Sequence, residues 1–103
     1  MMVTHLTDDA IIFAMAYLSG PNAQLSFGGD GAEMEITPRA RAALDCLLEN
    51  GAAEKATPTD QWHGREHYRG VVQIWPIAKE RGLNPFDCDL CGWATFVKKG
   101  SDA

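Results

Sequence analysis

From Asp8 to Leu18 the chain reads DDAIIFAMAYL, and a helix drawn through Ile11–Leu18 is apolar on every side. Such a helix belongs inside a fold and not on its surface. In a chain of 103 residues, enough for one domain, the other elements must be arranged around it. Its limits are written locally. Thr7 can accept a hydrogen bond from the first turn, Asp8 and Asp9 sit where the helix dipole favours negative charge, and Leu6 and Ile11 fall at the staple positions. Ser19-Gly20-Pro21 ends the helix. The apolar run Ala10–Leu18 is nine residues long, well short of the ~20 that cross a bilayer. Acids precede it, where a signal peptide carries bases. These features predict no membrane association and a cytoplasmic location.

Two short runs of period two follow. Ala23, Leu25 and Phe27 alternate with Gln24 and Ser26. Ala32, Met34 and Ile36 alternate with Glu33 and Glu35. Gly28-Gly29-Asp30-Gly31 lies between them, and the pattern predicts a β-hairpin. Thr37-Pro38 then opens a second helix, with the cap and the first-turn proline in their favoured places. Its apolar face is Ala40, Ala43, Leu44, Leu47 and Leu48, and Asn50-Gly51 stops it.

Beyond Ala52 the signals thin. Thr57-Pro58-Thr59-Asp60 reads as a loop. The β-branched run Val71–Trp75 predicts a strand ended by Pro76, with Trp75 in the core. Ile77–Arg81 reads as a short helix stopped by Gly82, and Trp93–Val97 as a last strand. Residues 98–103 read as a flexible tail, leaving one globular domain over 1–97.

Apolar residues make up 46% and charged residues 22% of the chain, which argues against disorder. The net charge of −5 arises from the first half. Residues 1–53 hold seven acids and two bases, and residues 54–103 hold seven of each. A basic face for nucleic acid is therefore available only from the second half.

The chemistry-bearing pattern is His63-x3-His67 followed by Cys88-x2-Cys91. Two imidazoles and two thiolates suit a tetrahedral Zn²⁺, and the two thiolate charges balance the ion. The order of the pairs is reversed relative to common Cys2His2 modules. His63, His67, Cys88 and Cys91 are thus candidate metal ligands, with Zn²⁺ the candidate cofactor. The competing reading makes the histidines surface loop residues and the cysteines small apolar fillers. A redox role for Cys88 and Cys91 is opposed by Asp87 and Asp89, since negative neighbours disfavour a thiolate. Cys46, on the second helix, reads as a buried or half-buried residue.

Arg39 and Arg41 stand at the start of the second helix, where free backbone amides accept anions. Local pairing, Arg39 with Glu35 and Arg41 with Asp45, is the simpler account. Arg65 and Arg69, interleaved with Trp62, Tyr68 and Trp75, form a mixture able to stack on and neutralise a single strand. It equally suits a protein interface. Arg39, Arg41, Arg65 and Arg69 are the candidate anion- or nucleic-acid-binding residues. No Ser/His/Asp triad or phosphate-cradling loop can be placed by spacing, so no catalytic residue is assigned.

The stretch Glu35-Ile-Thr-Pro-Arg-Ala-Arg-Ala-Ala-Leu44 is similar to one in bacterial winged-helix transcription regulators, where the last wing strand runs into a helix through a Thr-Pro sequence. The resemblance covers residues 35–44 and implies that the Gly-rich hairpin is a wing. Only one helix precedes that hairpin, so no recognition helix, and no DNA-reading residue, comes with it.

The expected fold is a single small α+β domain: helix, β-hairpin, helix, then an irregular β-containing C-terminal half, with a winged-helix-like arrangement as one form. The expected role is a non-enzymatic binding or adaptor module, stabilised by a structural zinc, for a protein partner or for self-association. A nucleic-acid-binding regulator and a metal-dependent enzyme with an open zinc position are the alternatives.

Overall fold

A computed structural model of the chain describes residues 5–29, 31–56, 64–83 and 94–99. The first helix, α1 (Asp8–Tyr17), begins where the sequence places it, with the Thr7 side chain accepting from the Ala10 amide at 3.1 Å. Ala10 through Met15 are all buried. The second helix, α2 (Pro38–Glu49), is capped by Thr37 and buries Ala40, Ala43, Leu44 and Leu47 against α1. Gly51 follows with φ 73°, a left-handed conformation that glycine adopts without a steric cost.

Strand β1 (Gln24–Gly28) buries Leu25 and Phe27, as its alternation predicts. Its partner is not the next strand. β1 pairs antiparallel with β4 (Arg65–Gly70), which in turn pairs with β3 (Ala53–Lys55), giving the order β1-β4-β3. Strand β2 (Met34–Ile36) instead pairs with β5 (Phe96–Lys98) in a separate two-stranded sheet. The expected hairpin is therefore corrected. Gly28, Gly29 and Gly31 all have positive φ, and the segment they form carries the chain from one sheet to the other. The packing explains the choice. Phe27 stacks on Tyr68 of β4 with ring centroids 5.8 Å apart, whereas Met34 of β2 is 48% exposed.

The Val71–Trp75 strand is also corrected. The strand lies one step earlier, over Arg65–Gly70, and Trp75–Glu80 is a short helix, α3. Pro76 sits in the first turn of α3, so it starts a helix where the sequence reading made it end a strand. Trp75 is 47% exposed and is not a core residue. Lys98 and Lys99, read as the start of a tail, are held to β2: Lys98 pairs with Met34, and the Lys99 amide donates to the Glu33 carbonyl. Residues 100–103 lie outside the described residues.

A single buried cluster joins α1, α2 and the inner face of the larger sheet. Aromatic contacts run through it, from Phe13 to Tyr17, Phe96, Phe27 and Tyr68, with neighbouring centroids 5.1 to 5.8 Å apart. Thr37 joins the two halves of the fold. While its oxygen caps α2, its hydroxyl donates to the Ala94 carbonyl at 2.8 Å, and its amide donates to the Thr95 carbonyl. The described residues form one small α+β domain of three helices and two antiparallel sheets.

Candidate functional site: a charged step at the end of the larger sheet

Side chains alternate across a strand, and the register assigns the faces of β4. Glu66, Tyr68 and Gly70 lie with Phe27, Leu25 and Ala53 on the helix side. Arg65, His67 and Arg69 form a row on the opposite face, level with Gly28, Ser26 and Gln24 of β1. The structure thus brings three of the sequence candidates onto one strand face. Arg69 pairs with Glu54 of β3. Arg65 donates from Nε to the Ser26 hydroxyl at 2.8 Å and from Nη2 to the Ser26 carbonyl at 3.1 Å.

Arg39 and Arg41 are engaged elsewhere, by acids far off in sequence. Arg39 binds both carboxylate oxygens of Asp9 on α1, at 2.7 and 2.9 Å. That bond holds the Asp9 carboxyl below its usual range. Arg41 forms the same fork with Glu66 of β4, at 2.8 and 2.7 Å. Charge pairing is what the simpler sequence account expected, but the partners are Asp9 and Glu66, not Glu35 and Asp45.

The Arg41–Glu66 pair anchors a small network. Tyr68 donates its hydroxyl to Glu66 Oε1 at 2.5 Å. The Arg41 guanidinium also lies over the Phe27 ring, 5.4 Å from its centroid, a favourable cation–π placement. The hydrogen bonds from Arg41, reinforced by Tyr68, bring the Glu66 pKa down to about 2 against an opposing effect of burial. Burial, and then the bond to Glu66, push the Tyr68 hydroxyl up.

Beside this network the sheet has a step. Among the described residues, the last rung between β3 and β4 is the Ala56 amide donating to the His67 carbonyl at 2.9 Å, and Arg65 and Glu66 continue β4 beyond it. A depression of about 200 Å³ opens there, lined by Lys55, Ala56, Arg65, Glu66, His67 and Tyr68. Sequence reading missed Lys55, Glu66 and Tyr68 as members of one site. The period-two pattern of Arg65–Arg69 would have placed Glu66 and Tyr68 on one face, had a strand been assigned there.

His63, Cys88 and Cys91 lie outside the described residues, and Trp62 does too. His67 is the one zinc candidate among the described residues, half-buried on the face of β4 opposite the helices. Among the described residues, no three His, Cys, Asp or Glu side chains gather as a metal-holding group. Cys46 is half-buried, as expected, with its sulfur near the Thr7 hydroxyl, the His5 carbonyl and the Asn50 amide group. Among the described residues no helix is long and apolar enough to cross a membrane. Comparison with protein-family models, with curated proteins and with solved structures found no match to the chain.

Proposed function

We propose that this chain is a small non-enzymatic binding module that engages a protein partner. The observation that carries this reading is Trp75, 47% exposed at the start of α3, with Val71 39% exposed on the connection that leads into it. Tryptophan is among the residues that most often anchor protein interfaces, because one rigid side chain buries a large area. The titratable network supports the same reading. A general acid or base works best with a pKa near the operating pH, but Glu66 is held near 2 and Tyr68 is pushed up.

Within this reading, His63, His67, Cys88 and Cys91 hold one structural zinc. The support is the donor chemistry and the paired spacing. The alternatives draw less from the geometry. A winged-helix-like regulator using Arg39 and Arg41 would have to detach both from Asp9 and Glu66. A zinc enzyme would need an open coordination position and an acid or base tuned near neutrality.

The test is photo-crosslinking in the cells that express the chain, with a benzoylphenylalanine at position 75 and, as control, at exposed Glu49. A discrete adduct at 75 and none at 49 is expected; an adduct of twice the chain's mass would identify the partner as a second copy. Absence of any adduct at 75, or the same pattern from both positions, would refute the reading.

A further inference from the structure

We infer that Asn50 is a site of spontaneous covalent modification, deamidation to aspartate and isoaspartate, gated by the last turn of α2. This goes beyond the partner surface at Trp75 and stands on different residues. Asn50-Gly51 is the one Asn-Gly pair in the chain. Asn22 precedes Ala23, whose side chain hinders the reaction, and Asn84 precedes Pro85, which has no amide proton. Asparagine is among the labile residues. In the reaction the Gly51 nitrogen, having lost its proton to hydroxide, bonds to Asn50 Cγ. The Cγ–Nδ2 bond breaks, and that nitrogen leaves as ammonia with a proton taken from water. Water then opens the five-membered ring at either carbonyl, giving aspartate or isoaspartate. Gly51 is exposed, and a Cβ built there would meet no atom within 4 Å, so hydroxide and water reach the site.

The fold holds the two reacting groups apart. Asn50 Nδ2 donates to the Cys46 carbonyl at 2.8 Å and lies 3.7 Å from Cys46 Sγ. The Gly51 amide donates to the Leu48 carbonyl at 3.3 Å. Ring closure needs the Gly51 nitrogen on the Cβ side of the Asn50 Cα–C bond. With ψ at 6°, that nitrogen lies beside the Asn50 backbone nitrogen instead. The reaction therefore waits for the last turn of α2 to open, and helix ends are where such opening is easiest. Conversion then keeps the turn loose. A carboxylate cannot donate to the Cys46 carbonyl, and it sets a negative charge at the negative end of the helix dipole. Isoaspartate also lengthens the backbone just before Ala52, which is 1% exposed and whose amide donates to the Leu47 carbonyl at 2.9 Å.

The experiment is incubation of the full chain in mildly alkaline buffer, folded and in parallel unfolded in urea. Peptide mass mapping reads the gain in mass from amide to acid at position 50, and methyltransferase labelling reads isoaspartate. Conversion at Asn50 is expected in both samples, with both products present. The folded chain should react at least about fivefold more slowly, because only its opened last turn is competent. Asn50→Asp, which carries the aspartate product directly, should melt about 5 °C below wild type. No acid at position 50 in the folded chain, or faster conversion at Asn22, would overturn the inference. Equal rates in the two samples would overturn the gating by α2. Crosslinking at position 75 reads different residues, so either result can fail alone.

Discussion

Arg41 and Glu66 stand 25 residues apart in sequence and are joined by two parallel hydrogen bonds, so the first turns of α2 are fastened directly to the middle strand of the larger sheet. Both side chains are a little over one-third exposed, and solvent screening limits what the pair contributes. Discounted on that account, Glu66→Ala should cost about 1–2 kcal/mol through the lost fork and the lost acceptor for Tyr68. For a domain of this size that is a fall of roughly 5–10 °C in melting temperature. Glu66→Gln, which keeps one acceptor oxygen, should fall between wild type and alanine. Calorimetry on the three proteins checks the order.

Stability should depend on pH through the same residue. The Glu66 carboxyl is lowered from 4.5 to about 2 in the folded chain, so the unfolded chain binds more protons in that window. The stabilisation is complete above about 4.5 and is lost as pH falls toward 2. Asp9 is lowered as well and adds in the same direction. Urea midpoints from pH 7 to pH 2 should fall in this interval, and Glu66→Gln should flatten the slope. An equal slope in the variant would place the acid sensitivity elsewhere.

Glycine is required at position 70 for space. A Cβ there would meet the Gly20 carbonyl oxygen at 2.4 Å and the Leu18 carbonyl oxygen at 3.1 Å, both backbone atoms. Gly70→Ala should destabilise by roughly 1–3 kcal/mol, in the range of overpacking. At Gly20 the nearest atom, 3.0 Å away, belongs to the Gln73 side-chain amide, which can swing aside. Gly20→Ala should stay within about 0.5 kcal/mol of wild type. Parallel denaturant melts separate the two.

Phe96 closes the aromatic path, edge-on to Tyr17 at 5.6 Å and to Phe27 at 5.4 Å. It is partly buried, so Phe96→Ala should cost about 2 kcal/mol, less than the loss of a fully buried ring. Tyr17→Phe, which removes the hydroxyl bonded to Thr95 at 2.7 Å, should cost about 1 kcal/mol.

Chain purified from cells grown with zinc should carry about one metal ion, since a four-ligand site closes around a single Zn²⁺. A chelator should lower its melting temperature, because binding energy at such a site contributes to folding. Metal analysis and a melt with and without chelator provide the check, and no bound zinc would remove the proposal.

The two main helices were readable because their signals are local. Thr7 and Thr37 as caps, Pro38 in the first turn, Gly51 after the last turn and the spacing of Ala40, Ala43, Leu44 and Leu47 all act within a few residues. Strand partners are set by distant packing, so the alternation of β1 identified its buried residues without revealing that Tyr68 would be their neighbour. β4 went unread because its alternating positions are mostly charged or polar. The apolar run that follows it imitated a strand while supplying Ile74 to the core and Trp75 to the surface. The arginine partners were missed for a related reason. Arg39 and Arg41 had acids four residues away, yet the packing of α1 and of β4 against α2 brings Asp9 and Glu66 into fork geometry.

The separation of β1 from β2 has a consequence for the growing polypeptide. As the ribosome delivers residues in order, Met34, Glu35 and Ile36 emerge long before Lys98, Val97 and Phe96, their ladder partners. Until then β2 has no mate and Phe27 and Tyr17 lack their ring contacts with Phe96. Closing so wide a loop carries an entropic cost that slows folding. Completion of the smaller sheet is therefore a late event of biogenesis, during which a short, half-apolar strand stands open to the wrong neighbour.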